Sequence, residues 1–221
     1  MPHFRTIFFD VGNTLLFPNR QKILEPLAVT LHPSLTGWQA LERKTKAEFD
    51  REMTGGHVDR SFWWTFHTYL LQDVSALNDG VRNELIRNTQ NSANWDQILP
   101  GTRESLERIA SKNRIAVISN ADGKIDQVLT RCGICDCFQS ITDSGIVGQE
   151  KPHPVIFEAA LAVMDANPQE SLYVGDVYSV DYLGARNAGM NAILFDVAGT
   201  YRDRNVPRVE SMEELEIWLK Q

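Results

Sequence analysis

Asp10 ends the apolar run Thr6-Ile7-Phe8-Phe9, and Asp176 follows Leu172-Tyr173-Val174-Gly175, with Asp181 shortly after it. A carboxylate at such a strand end can attack phosphorus and form an aspartyl-phosphate. Several carboxylates around a phosphate would repel it and one another, so the group calls for a hard divalent cation. Magnesium fits best, because it takes oxygen ligands and keeps waters and phosphate oxygens in its shell. Lys151, before Pro152-His153-Pro154, can neutralise charge on nucleophile and phosphate together. Ser119-Asn120, after Ile115-Ala116-Val117-Ile118, can offer a hydroxyl and a backbone N–H to phosphate oxygens at a helix start. Taken singly, each signal has a plainer reading: a strand-end polar residue, a capping pair, a solvated lysine. A helix N-cap explains Asp181 as well as a metal role does.

The elements around these residues decide whether they meet. Four short apolar runs, 6–9, 115–118, 172–174 and 192–195, each end in a polar residue and alternate with helical stretches. Such runs read as strands buried on both faces of a parallel sheet. Helices are expected over 102–111, 123–131, 154–164 and 181–188, with Pro154 in a first turn and Gly189 as a C-terminal stop. The alternation predicts an α/β protein with a doubly wound, Rossmann-like parallel sheet. Ligands bind such sheets outside the carboxyl ends of the strands, where Asp10, Ser119 and Asp176 all stand.

Residues 17–92 break this grammar. Trp38, Leu41, Thr45 and Phe49, then Phe62, Phe66, Tyr69 and Leu70, then Val81, Leu85 and Ile86 lie at helical spacing, with Gly55-Gly56 and Asn78-Asp79-Gly80 as breakers. We expect an inserted α-helical cap domain over 17–92 and a core domain over 1–16 and 93–221, re-entered near 95–100.

The 221 residues are 43 % apolar and 23 % charged, enough to build a core. A net charge of −7 without a Lys/Arg run argues against a nucleic-acid partner. No apolar stretch approaches the ~20 residues that span a bilayer, and no N-terminal signal is recognised, so we expect a cytoplasmic protein. Cys132, Cys135 and Cys137 lack a second pair or a nearby His, and read as reduced structural thiols. Oligomeric state is not legible.

The stretches FFDVGNTLLF, AVISNADG, SGIVGQEKPHPVIFEAAL and LYVGDVYSVDYLGARNAGM, in this order, resemble the four motifs of the haloacid-dehalogenase-like (HAD) superfamily, in its branch with a helical cap after the first motif. The resemblance covers nearly the whole chain. It implies a hydrolase, with Asp10 as nucleophile and magnesium ligand, Thr14 steadying the first motif, and Ser119 with Asn120 binding phosphate. Lys151 takes the place of the third-motif lysine, and Asp176 and Asp181 those of the acidic metal positions. The implied substrate is a small phosphorylated metabolite.

Gly12 departs from the pattern. Family phosphatases carry there a second Asp that protonates the leaving group and then activates water. The spacing from Asp10 to Thr14 is intact, so the residue is substituted and not displaced. The Gly12 carbonyl still matches the family's backbone metal ligand, but the carboxyl is lost, and general acid–base help is worth about 10²–10⁴-fold. Three alternatives follow: a weakened phosphate-binding or regulatory protein, a phosphonatase that uses a cap lysine (Lys22, Lys44 or Lys46), or a haloacid dehalogenase. The retained Asp176 speaks against the last. His153 and Asp122 are candidate replacement acids, while Asp196 reads as a structural turn. For cap specificity the candidates are Arg20, His57, Arg60, Trp63 and Trp64.

Overall fold

The computed structural model describes residues 4–24, 33–56, 61–72 and 79–221. Its centre is β1 (Thr6–Phe9), whose four side chains are all buried. β1 pairs in parallel with β4 (Arg114–Ser119) on one side and β6 (Ser171–Gly175) on the other, with Phe9 level with Val117 and Val174. Adding β5 (Ile141–Asp143), β7 (Asn191–Phe195) and β8 (Arg208–Val209) gives a six-stranded sheet of order β5-β4-β1-β6-β7-β8, with every pairing parallel.

The two-residue period of the strands sorts the core into two layers. Ile7, Phe9, Ile115, Val117, Leu172, Val174, Ile193 and Phe195 point to one face. They meet α5 (Thr102–Ala110), α6 (Ile125–Arg131) and α10 (Met212–Trp218) through Leu106, Ile109, Val128, Leu129 and Leu215. Phe8, Ala116, Ile118, Tyr173 and Ala192 point to the other face. There they meet α7 (Ser144–Val147), α8 (Pro154–Val163) and α9 (Leu183–Asn187) through Val147, Ile156, Phe157, Ala160, Leu161 and Ala185. The doubly wound parallel fold is therefore as expected. β5 and β8 were not among the expected strands. They are two or three residues long at the sheet margins, too short to leave a periodic signal.

The chain leaves and re-enters the core through a small antiparallel pair, β2 (Leu16–Phe17) and β3 (Gln97–Ile98), with Leu16 opposite Ile98. Between them lie α1 (Arg20–Leu24), α2 (Leu35–Thr54), α3 (Phe62–Leu70) and α4 (Asp79–Gln90). Ser34 and Ser61 cap α2 and α3 by accepting from the backbone N–H of Gly37 and Trp64. These helices close on a cluster of their own, Ile23, Leu24, Trp38, Leu71 and Leu85. Among the described residues no helix is long and apolar enough to cross a membrane.

One expected helix start is corrected. Helical turns begin at Tyr178, with a wide turn over Tyr178–Tyr182 leading into α9, so Asp181 lies inside the turn and not at its N-cap. The physical reason is that its carboxylate folds back onto the loop that precedes it.

Candidate active site

The strand register brings the candidate residues together. Asp10, 6 % exposed, follows the buried end of β1 beside the end of β6. Its backbone N–H donates to Val174 O at 2.8 Å, which ties the first motif to the fourth. Asn13 sits at φ 53°, a left-handed conformation that Asn tolerates better than most residues, and this turns the chain sharply after Asp10. The hydroxyl of Thr14 then reaches back to Asp10 Oδ2 at 3.3 Å, so Thr14 contacts the nucleophile candidate.

Lys151 is the hub. Its buried Nζ donates to Asp10 Oδ1 at 2.6 Å, Asp181 Oδ1 at 2.8 Å and the Tyr173 hydroxyl at 2.7 Å. Asn120 fixes the backbone that carries it: Lys151 N donates to Asn120 Oδ1 at 2.7 Å, and Asn120 Nδ2 donates to Lys151 O at 3.0 Å. The side chain of Asn120 is thus engaged with the third motif. Ser119 is buried at the end of β4 and lines the crevice. Tyr173 was not singled out in the sequence, where it reads as one more apolar strand residue. Its phenol crosses the sheet to Lys151 and also lies 3.1 Å from Ile118 O.

The Asp181 carboxylate is held on both oxygens. Oδ2 accepts from the N–H groups of Asp176 at 3.1 Å and Val177 at 2.9 Å, and Oδ1 meets Lys151 and Tyr173. Gly175 makes this possible. A Cβ there would stand 2.6 Å from Asp181 Cβ and Cγ, so only glycine lets the carboxylate tuck beneath the strand end.

Carboxylate oxygens of Asp10, Asp176 and Asp181 lie within 4.8 Å of one another, all buried. This hard, all-oxygen donor set suits a divalent cation. Burial raises the carboxyl of Asp10 from 3.8 to about 6; Lys151 opposes the rise and Asp181 adds to it. Burial likewise raises Asp176 to about 7, against the pull of Lys46. Burial works to lower Lys151, but Asp10 and Asp181 outweigh it and hold the ammonium above the usual lysine range.

Gly12 faces an indole. A Cβ on Gly12 would stand 3.3 Å from Trp95 Cζ3 and 3.6 Å from Cη2. Trp95 is 8 % exposed and is fixed by its Nε1–H to Thr89 O at 2.7 Å and by edge packing on Trp63 at 5.5 Å between ring centroids. The space beside Gly12 is therefore filled by a residue from the stretch that returns from the inserted helices.

The crevice above these groups has a volume of about 610 Å³, within the range of small-molecule sites. Asp10, Gly12, Ser119, Asn120, Lys151, Asp176 and Asp181 form its floor, and Phe49, Met53, Phe62 and Trp63 its helical wall. Asp122 lines the crevice, where Oδ2 accepts from Ser92 N at 3.3 Å. His153 is exposed, and its Nδ1 accepts from Val155 N as a cap of α8, away from the other groups. Asp196 is fully buried in a turn, accepting from the N–H of Thr200 and Tyr201.

Of the inserted lysines, Lys22 pairs with Asp96 and Lys44 lies over the Tyr69 ring at 3.6 Å. Lys46 enters the site, 2.9 Å from Asp176 Oδ2. Arg20 stacks on Trp38 at 4.3 Å, and Arg82 lies over the Trp64 ring at 4.6 Å. His57 and Arg60 lie outside the described residues. The three cysteines are free and half-buried, and burial raises the thiols of Cys132 and Cys137, which disfavours the reactive thiolate.

A family model described as haloacid dehalogenase-like hydrolase matches residues 4–189. The human haloacid dehalogenase-like hydrolase domain-containing protein 3 is 32 % identical over 139 residues, covering 60 % of this chain and 55 % of that protein. The glyceraldehyde 3-phosphate phosphatase of Methanothermobacter thermautotrophicus is 42 % identical over 108 residues, 48 % of each. The chain thus spans about half the length of these curated relatives. The HAD-hydrolase YfnB from Bacillus subtilis bound to magnesium shares the fold, with a TM-score of 0.74 at 18 % identity over 99 % of this chain and all of that one.

Proposed function

This chain belongs to the haloacid dehalogenase-like hydrolase family, and from that premise we propose that it is a magnesium-dependent phosphatase of a small phosphorylated metabolite. The observation that carries the reading is the contact of Lys151 with Asp10 inside a buried cluster of three carboxylates. The phosphatase name of a relative 42 % identical over 108 residues supports it. We take residues 1–16 and 93–221 as core and 17–92 as cap, and a cytoplasmic location as the working expectation.

In this mechanism a carboxylate oxygen of Asp10 attacks phosphorus. The bond from phosphorus to the leaving oxygen breaks, and that oxygen takes the electron pair. Water then attacks the aspartyl-phosphate at phosphorus, releasing phosphate and restoring Asp10. Lys151 holds the nucleophile and screens charge on the phosphoryl group, while Ser119 and the N–H groups after β4 orient it. Thr14 and Asn120 keep Asp10 and Lys151 in register. Magnesium would be held by Asp10, Asp176 and the Gly12 carbonyl, with Asp181 beside them, and supplies neutralisation of phosphate charge. With no carboxyl at position 12, the leaving oxygen departs without an internal proton donor from the first motif. This favours good leaving groups such as acyl phosphates.

Phosphate release from a panel of phosphomonoesters and acyl phosphates, with and without magnesium, tests the reading. Metal-dependent release is expected, fastest for acyl phosphates. Trp95 packed over Gly12 favours a second reading, a phosphate-binding protein that no longer turns over. Calorimetric phosphate binding without release from any substrate would select it. A phosphonatase route through Lys46 needs a neutral amine, whereas Asp176 and Glu42 outweigh burial and hold this ammonium well above its ordinary range.

The apparent magnesium affinity should weaken as pH falls through 7 to 6. Burial raises Asp176 to about 7 and Asp10 to about 6, so protons compete with the cation at higher pH than for ordinary carboxylates. The slope should reach about tenfold per pH unit for each proton displaced. Titration calorimetry across pH 5–8 checks it, and an affinity flat down to pH 5 would contradict these ligands.

A further inference from the structure

Lys46 is a charged residue placed where an apolar one would be the ordinary choice. Its side chain is 1 % exposed, and Nζ lies between Glu42 Oε1 at 2.7 Å and Asp176 Oδ2 at 2.9 Å. It reaches the core because α2 is docked there by polar contacts along one stripe. Asp50 accepts from Ser179 N at 2.9 Å and from the Tyr201 hydroxyl at 2.9 Å, and Arg43 donates to Ala198 O at 2.8 Å. Glu42, Lys46 and Asp50 follow one another at four-residue spacing, so the docked face of α2 carries carboxylate, ammonium and carboxylate in line.

We propose that Lys46 is a positioning residue that pairs with Asp176 and thereby sets the affinity of the site for its divalent cation. The proposal rests on the reading of Asp10 and Asp176 as cation ligands. A cation held by Asp176 and the Lys46 ammonium share the charge of one carboxylate and repel each other, so cation entry shifts Lys46 toward Glu42. Lys46 then gives up part of a buried ion pair and keeps Glu42 alone, which is why the exchange opposes cation binding. The coupling is reciprocal: docking of α2 weakens cation binding, and the bound cation weakens docking of α2.

Magnesium titrated calorimetrically into the full chain tests this, with wild type beside Lys46→Met and Asp50→Ala. Lys46→Met should bind magnesium about tenfold tighter, since tenfold corresponds to only about 1.4 kcal/mol and a displaced charge pair reaches that readily. Asp50→Ala should also bind tighter, by about threefold, because it releases the helix that delivers the ammonium. A fixed-charge effect has the opposite sign there, as loss of a nearby carboxylate weakens cation binding. Asp50→Ala leaves Lys46, Glu42 and Asp176 in place and carries the test if Lys46→Met does not fold. Unchanged or weaker binding in Lys46→Met, or weaker binding in Asp50→Ala, overturns the proposal while wild type still binds. Absence of magnesium binding in all three overturns the cation reading itself.

Discussion

Asp10→Asn should lower phosphate release by about 10⁴-fold or more, the scale seen when a covalent nucleophile is removed, while leaving the fold intact. The amide has the shape of the carboxylate but is a far weaker nucleophile. Lys151 keeps Asp181 Oδ1 at 2.8 Å, so the buried ammonium stays paired. Stability should hold or rise. Burial raises the carboxyl of Asp10 from 3.8 to about 6, so at pH 7 its ionised form is less favoured in the folded chain than in the unfolded one. A neutral amide removes that cost, whereas wild type sheds it only as pH falls through about 6. Phosphate release and the thermal midpoint, measured on the same preparation, check both parts. Retained turnover would remove Asp10 from the reaction, and a collapsed midpoint would make any loss of turnover uninformative.

Much of this site is legible in the sequence because its parts end strands. The runs before Asp10, Ser119 and Asp176 are apolar on both faces, which identifies central parallel strands, and parallel strands deliver their ends to one side. Lys151 is legible only through its motif, since nothing local says that a lysine before a helix turns inward. Tyr173 and Lys46 are not legible from pattern alone. Tyr173 is one of five buried residues in β6, and its hydroxyl matters only because Lys151 comes from another element. Lys46 and Asp50 look like the solvated face of α2 until the helix docks on the loop after β6 and the turn containing Ala198. Periodicity reports which side chains avoid water, and it is silent on charged side chains that avoid water by pairing. Trp95 is a similar case: its place over Gly12 depends on the path by which the chain returns from the inserted helices.

That path decides what a carboxyl placed at position 12 would do. Gly12→Asp alone should leave turnover near wild type, because the new Cβ meets Trp95 at 3.3 Å and the carboxylate must pass an indole fixed by Thr89 and Trp63. Combined with Trp95→Leu, which shortens the obstructing side chain, it should raise turnover of alkyl phosphates by about 10²-fold or more, within the range of general acid–base help. Acyl phosphates should gain little, since their carboxylate leaving group needs no proton. The double variant should also depend less steeply on leaving-group basicity than wild type. Trp95→Leu removes buried ring volume and should cost about 2–4 kcal/mol, so the comparison belongs well below the variant's thermal midpoint. Rates for a graded series of phosphate esters on wild type, both single variants and the double decide it. A gain from Gly12→Asp alone would mean that Trp95 yields and does not close the slot. No gain in a folded double variant would mean that a missing proton donor is not what limits Asp10.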